Sequence, residues 1–163
     1  MNKKVIIADS SPLIGLALIG QLELLPGLYS KIIIPSSVWN EMTVEGKGLP
    51  GAEEISRIRW FEIRNPEKSV SAPLTILLDR GEADAIALAI MLPEAIVLLD
   101  DSRARKIAKR LNIKHIGTVG LLRRAKKSGL IDELRPYLES LQAKGIYISD
   151  KLISAVLADV GEK

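Results

Sequence analysis

The sequence contains no cysteine and a single histidine, His115, among 163 residues. The missing cysteine excludes disulfides, thiolate nucleophiles and cysteine-ligated zinc together. Aromatic residues make up 4% of the chain, which argues against a stacking platform for single-stranded nucleic acid. No apolar run reaches the roughly 18–20 residues of a membrane-spanning helix. Asp9 interrupts the first apolar stretch, where a signal peptide would be continuous. These gaps point to a cytoplasmic protein with no membrane partner. What is present is 47% hydrophobic and 26% charged, enough for one packed core. The length suits one domain spanning 1–163, with 130–163 as a helical C-terminal extension packed on it.

Charge is scarce in total and strongly segregated. The net charge is +3, yet the stretch from Ser102 to Gly129 holds ten Lys or Arg and no Asp or Glu. The rest of the chain carries 13 basic and 20 acidic residues. Such asymmetry is a footprint to test for a nucleic-acid partner, although a solvated helix face gives the same pattern. Arg103, Arg105, Lys106, Lys109, Arg123 and Arg124 are the cations expected to meet nucleic-acid phosphates.

Lys4-Val5-Ile6-Ile7-Ala8 is short, apolar and β-branched, and reads as a buried strand ending at Asp9. Ser10 and Pro12 then open a helix that should run to about Pro26-Gly27. Ile32-Ile33-Ile34 is a second strand, followed by a helix carrying Val38, Trp39, Glu41 and Met42. A short helix over 52–59 leads to a strand over 60–63, and the proline-containing residues 64–73 read as a connector. Helix 80–92, strand 95–99, helix 103–111, strand 113–116 and a helix ending at Ser128-Gly129 come next. Two amphipathic segments, near 131–143 and 149–160, complete the chain. Alternating strands and helices predict an α/β fold with a parallel sheet and helices on both faces.

Ligands of parallel sheets bind beyond the carboxyl ends of the strands. Two apolar strands end there in aspartate, at Asp9 and at Asp100-Asp101. Glu82 and Asp84 open the alanine-rich helix, and Glu41 lies on the helix after the second strand. Each acid has an ordinary explanation, as a helix cap, a complement to a helix dipole or a solvent-facing side chain. Gathered together, Asp9, Glu41, Glu82, Asp84, Asp100 and Asp101 would repel one another unless a cation joined them. Oxygen ligands of this kind suit Mg²⁺ or Mn²⁺, which can activate water for phosphodiester hydrolysis. A receiver-like phosphoacceptor is a poorer fit, because the paired acids follow the fourth strand rather than the first.

The motifs Asp9-Ser10-Ser11-Pro12-Leu13-Ile14, Pro35-Ser36-Ser37-Val38-Trp39-Asn40-Glu41, Gly81-Glu82-Ala83-Asp84-Ala85-Ile86-Ala87-Leu88-Ala89 and Leu98-Leu99-Asp100-Asp101-Ser102-Arg103-Ala104-Arg105 occur in series. With Gly117-Thr118-Val119-Gly120-Leu121-Leu122, they resemble the PIN-domain family of nucleases, and within it VapC-like toxins. The resemblance covers about residues 4–160. It implies a three-layer α/β/α sandwich around a central parallel sheet and a divalent-metal-dependent endoribonuclease. It also implies a toxin neutralised by a small cognate antitoxin, and a homodimer. The family's acidic quartet falls on Asp9, Glu41, Asp84 and Asp101, with the hydroxyl of Ser11 supporting the metal site. The sequence departs from the pattern at Leu99, where many relatives have threonine, and at Asp84, where glutamate is common. A catalytically inactive PIN-like module that binds RNA or protein is the alternative.

Overall fold

The computed structural model describes residues 4–163. Five strands form one sheet: β1 (Lys4–Ala8), β2 (Tyr29–Ile34), β3 (Phe61–Ile63), β4 (Ile96–Leu98) and β5 (His115–Ile116). Their spatial order is β3-β2-β1-β4-β5, and every pairing is parallel. β1 is therefore central, with Ile7 opposite Ile33 on one side and Val97 on the other. The chain fills one half of the sheet outward from β1, then returns to fill the other. That reversal of strand order leaves a crevice at the carboxyl end of β1, where Asp9 follows the strand.

Side chains alternate across the sheet, as the period of a strand requires. Ile6, Ala8, Ile32, Ile34, Ile96 and Leu98 join the core on one face. Helices α1 (Ser10–Leu18), α8 (Thr118–Lys127), α9 (Arg135–Ala143) and α10 (Asp150–Asp159) supply that core with Leu13, Leu16, Leu121, Leu122, Leu138, Leu141, Val156 and Leu157. Ile7, Ile33, Val97 and Leu99 face the opposite core. There α6 (Arg80–Met91) and α7 (Ser102–Arg110) contribute Ala83, Ala85, Ile86, Ala89, Ala104 and Ala108. The fold is thus the expected α/β/α sandwich with a parallel central sheet. Full burial of an isoleucine such as Ile7 or Ile33 contributes roughly 1.5–3 kcal/mol. Alanines let α6 lie close to the sheet, which carries its first turn to the crevice.

Local differences from the sequence reading have physical causes. The first helix does not reach Pro26: α1 stops at Leu18, Gly20 takes a left-handed φ of 68°, and the chain restarts as α2 (Leu24–Leu28). The expected connector contains α5 (Lys68–Leu74). Pro73 is tolerated in its last turn, where it forfeits only one backbone hydrogen bond. α3 (Ser36–Asn40) runs directly into a π-helical turn over Glu41–Glu45. That wide turn closes against Gly46, where a Cβ would lie 2.8 Å from the Met42 carbonyl oxygen and 2.9 Å from that of Glu41. α4 (Ala52–Ser56) precedes β3.

Candidate active site at the carboxyl end of the sheet

Asp9 leaves β1 with its backbone N–H donating to the Leu98 carbonyl at 3.1 Å, so the turn after the strand is anchored to β4. The side chain is driven inward, and Asp9 is 3% exposed. Its Oδ1 is buried and accepts no hydrogen bond among the described residues. Ser10, the next residue, donates its hydroxyl to Glu41 Oε1 at 3.1 Å. Glu41 stands at the junction of α3 and the π turn, a kind of helix irregularity common at functional sites.

Between them passes the first turn of α6. A Cβ on Gly81 would lie 2.9 Å from Glu41 Oε2, 3.3 Å from the Val38 side chain and 3.5 Å from Asp9 Oδ1. Two carboxylate oxygens therefore point at one spot, which glycine leaves open. Asp79 caps α6: its side chain accepts the Glu82 N–H at 2.9 Å, and Glu82 Oε1 accepts the Asp79 N–H at 3.3 Å. Glu82 is 9% exposed.

The electrostatics report crowding. Burial, above all, pushes the Asp9 carboxyl from its usual 3.8 up to about 7, with added repulsion from Glu82, Asp79 and Glu41. Burial likewise carries Glu82 from 4.5 to about 7, reinforced by Asp79, Asp101 and Glu41. Glu41 is raised by the same cause, with Asp79 and Glu45 adding to it against the Ser10 hydrogen bond. A polar cleft of about 330 Å³ opens beside these acids, lined by Ser36, Asn40, Glu41, Glu45, Asp79 and Arg80 among others.

The predicted residues thus divide. Asp9, Glu41 and Glu82 come together, and Asp101 lies close enough to Glu82 to raise its pKa. Asp101 also caps α7 by accepting the Ala104 N–H at 2.9 Å. Asp84, half a helical turn beyond Glu82, is on another side of α6, where it accepts the Ser37 hydroxyl at 2.5 Å and faces Arg80 at 3.9 Å. Asp100 turns toward α8, held by the Thr118 N–H at 2.8 Å and hydroxyl at 2.5 Å. Ser11 is exposed, and Ser10 is the hydroxyl that supports a site carboxylate. His115 bonds the Ile113 carbonyl at 3.0 Å and lines a separate groove with Arg105. Asp79 was not singled out from sequence, although the Asp79-Arg80-Gly81-Glu82 capping-box spacing announces it.

The basic stretch divides too. Arg123 pairs with Asp159, Lys127 reaches the same carboxylate at 3.2 Å, and Lys126 lies 3.6 Å from Glu162. Arg124 donates to the Tyr29 hydroxyl at 3.1 Å. Among the described residues, Arg103, Arg105, Lys106, Lys109 and Arg110 of α7 make no ion pair.

Among the described residues, no group of three or more His, Asp or Glu side chains is arranged to hold a metal ion. The donors present still suit a hard divalent cation: they are all oxygens, one is buried without a partner, and their pKa values are raised by confinement. Asp9, Glu41 and Glu82 would hold such an ion, with Asp101 and Asp79 at the margin. A comparison with curated proteins finds no match. A family model described as PIN domain matches residues 5–162. Accounted for over nearly its whole length, the chain belongs to the PIN-domain family, whose members are generally nucleases.

Proposed function

We propose that the protein is an endoribonuclease that hydrolyses RNA phosphodiester bonds with Mg²⁺ or Mn²⁺ held at Asp9, Glu41 and Glu82. The single observation that carries this reading is the buried, partnerless Asp9 Oδ1 aimed with Glu41 Oε2 at the space left by Gly81. A divalent ion bound there would lower the pKa of a water and offset the phosphate charge. The chain's own residues prepare the site: Ser10 orients Glu41, and the Asp79–Glu82 capping box fixes the start of α6. Arg80 lines the cleft as the cation closest in sequence to the acids, suited to a phosphate oxygen. The unpaired cations of α7, which begins one residue after Asp101, offer the RNA backbone a track leading from the acids.

The test is cleavage of RNA by the purified protein with Mn²⁺, its loss with chelator, and its loss in Asp9→Asn with the fold retained. An Asp9→Asn variant as active as the parent would overturn the assignment. The motif resemblance extends the proposal to a cytoplasmic toxin, dimeric and neutralised by a small cognate antitoxin, all within one domain spanning 1–163. Growth arrest on expression, relieved by Asp9→Asn, is the expected signature.

The second reading, an inactive RNA- or protein-binding module, draws on the absence of a ready-made set of three ligands among the described residues. Calorimetry separates the two: no heat of Mn²⁺ binding at millimolar metal favours the inactive module.

A further inference from the structure

A second cleft, of about 340 Å³, opens beside the acidic one and shares Ser36 and Arg80 with it. Its lining is rich in donors that the fold does not use. Asn65 Oδ1 accepts both the Ser36 N–H at 2.9 Å and the Ser36 hydroxyl at 2.8 Å. A backbone N–H can only donate, so these bonds fix the amide orientation and leave the Asn65 NH₂ without a partner among the described residues. Lys68, the first residue of α5, is exposed and makes no ion pair or hydrogen bond among those residues. Ser71 lies one turn further on the same face of α5, 8% exposed, and its hydroxyl has no partner there either. The one acid of the lining, Asp84, is occupied by the Ser37 hydroxyl and faced by Arg80. Two cations and two idle neutral donors around one committed carboxylate describe a seat for an oxyanion, and a poor one for a metal ion.

Resting on the nuclease reading, we propose that this cleft binds the backbone phosphate next to the one being cut, gripped by Lys68, with Asn65 and Ser71 completing its hydrogen bonds. Arg80 lies on the shared wall and contacts both phosphates.

The test is a binding scan. A fluorescent RNA and a series of copies, each with one phosphate replaced by an uncharged methylphosphonate, are titrated by anisotropy against Asp9→Asn and against the Asp9→Asn, Lys68→Ala double variant. Lys68→Ala, at an exposed helix start, should leave the melting temperature unchanged and weaken RNA binding about tenfold. One methylphosphonate position should weaken the Lys68 protein by a similar factor and the Lys68→Ala protein hardly at all. If every methylphosphonate costs both proteins equally, the second phosphate seat is wrong, even where the parent cleaves RNA normally. If neither protein binds RNA, the seat and the nuclease reading fall together, and the cleavage assay reports on the latter by itself.

Discussion

Replacing Asp9 by asparagine should make the metal-free protein more stable at neutral pH while removing its activity. In the folded chain the Asp9 carboxyl is 3% exposed and its pKa stands at about 7, against 3.8 as its ordinary value. A group raised in this way binds a proton in the folded state, and not in the unfolded one, throughout that window. Its contribution is intact below about pH 4 and is lost as pH rises through about 7. A shift of about three pH units, at 1.36 kcal/mol each, sets a ceiling near 4 kcal/mol. In the parent, proton uptake by the neighbouring Glu82 relieves part of that penalty, which brings the expected gain to about 2–4 kcal/mol. That corresponds to roughly 5–12 °C in melting temperature for a chain of this size.

The assay is denaturant unfolding of parent and variant, with chelator present, from pH 4.5 to pH 8. The two stabilities should converge at the acid end and separate by at most about 1.4 kcal/mol per pH unit toward neutrality. Added Mn²⁺ should reverse the order by stabilising only the parent, as a ligand of the folded state must. A variant equal to or less stable than the parent at pH 8 would refute the claim that Asp9 is held ionised at a cost.

Three other outcomes are expected. Gly81→Ala places a methyl group 2.9 Å from Glu41 Oε2, so the flexible glutamate moves aside; cleavage should fall at least about 100-fold while stability changes by under about 1 kcal/mol, read by kinetics and melting together. Asp100→Ala removes the acceptor of two Thr118 donors and should cost about 2–3 kcal/mol in denaturant unfolding, with Mn²⁺ affinity unchanged. For the basic helices, Lys106→Ala should flatten the plot of log binding constant against log salt by about 0.7 for single-stranded RNA. Arg123→Ala, whose guanidinium is already paired with Asp159, should leave that slope alone and lower stability instead.

The layers of the fold were legible because strand and helix periods are local properties. Ile6, Ile7, Ile33 and Val97 announce two-faced burial directly, and Asp9 follows from where β1 must end. The division among the acids was not legible, because it depends on rotation about one helix axis. Glu82 and Asp84 are two residues apart, and that one bonds back to Asp79 while the other accepts the Ser37 hydroxyl becomes visible only once α6 is fixed against β1 and β4 by Ala85, Ile86 and Ala89. The tail of the chain hid a similar fact. Ten clustered cations look alike in a sequence, but Asp159 and Glu162 lie more than thirty positions beyond Arg123 and Lys126 and neutralise α8 alone. The serines and prolines of residues 64–73 conceal α5, and with it Lys68 and Ser71.

The position of β1 has a consequence for how the molecule is born. Its hydrogen bonds to β2 can form early in synthesis, but its other edge waits for β4, some ninety residues downstream. The Asp9 N–H cannot reach the Leu98 carbonyl until that strand has left the ribosome, and α6, with Gly81 and Glu82, has no finished sheet to lie on before then. Long-range closure of this kind comes late in folding. A fragment released before residue 98 therefore carries Asp9, Glu41, Asp79, Glu82 and Asp84 and still has no place to assemble them. On the activity proposed above, that ordering would leave the nascent polypeptide inactive beside the ribosome and message that are making it.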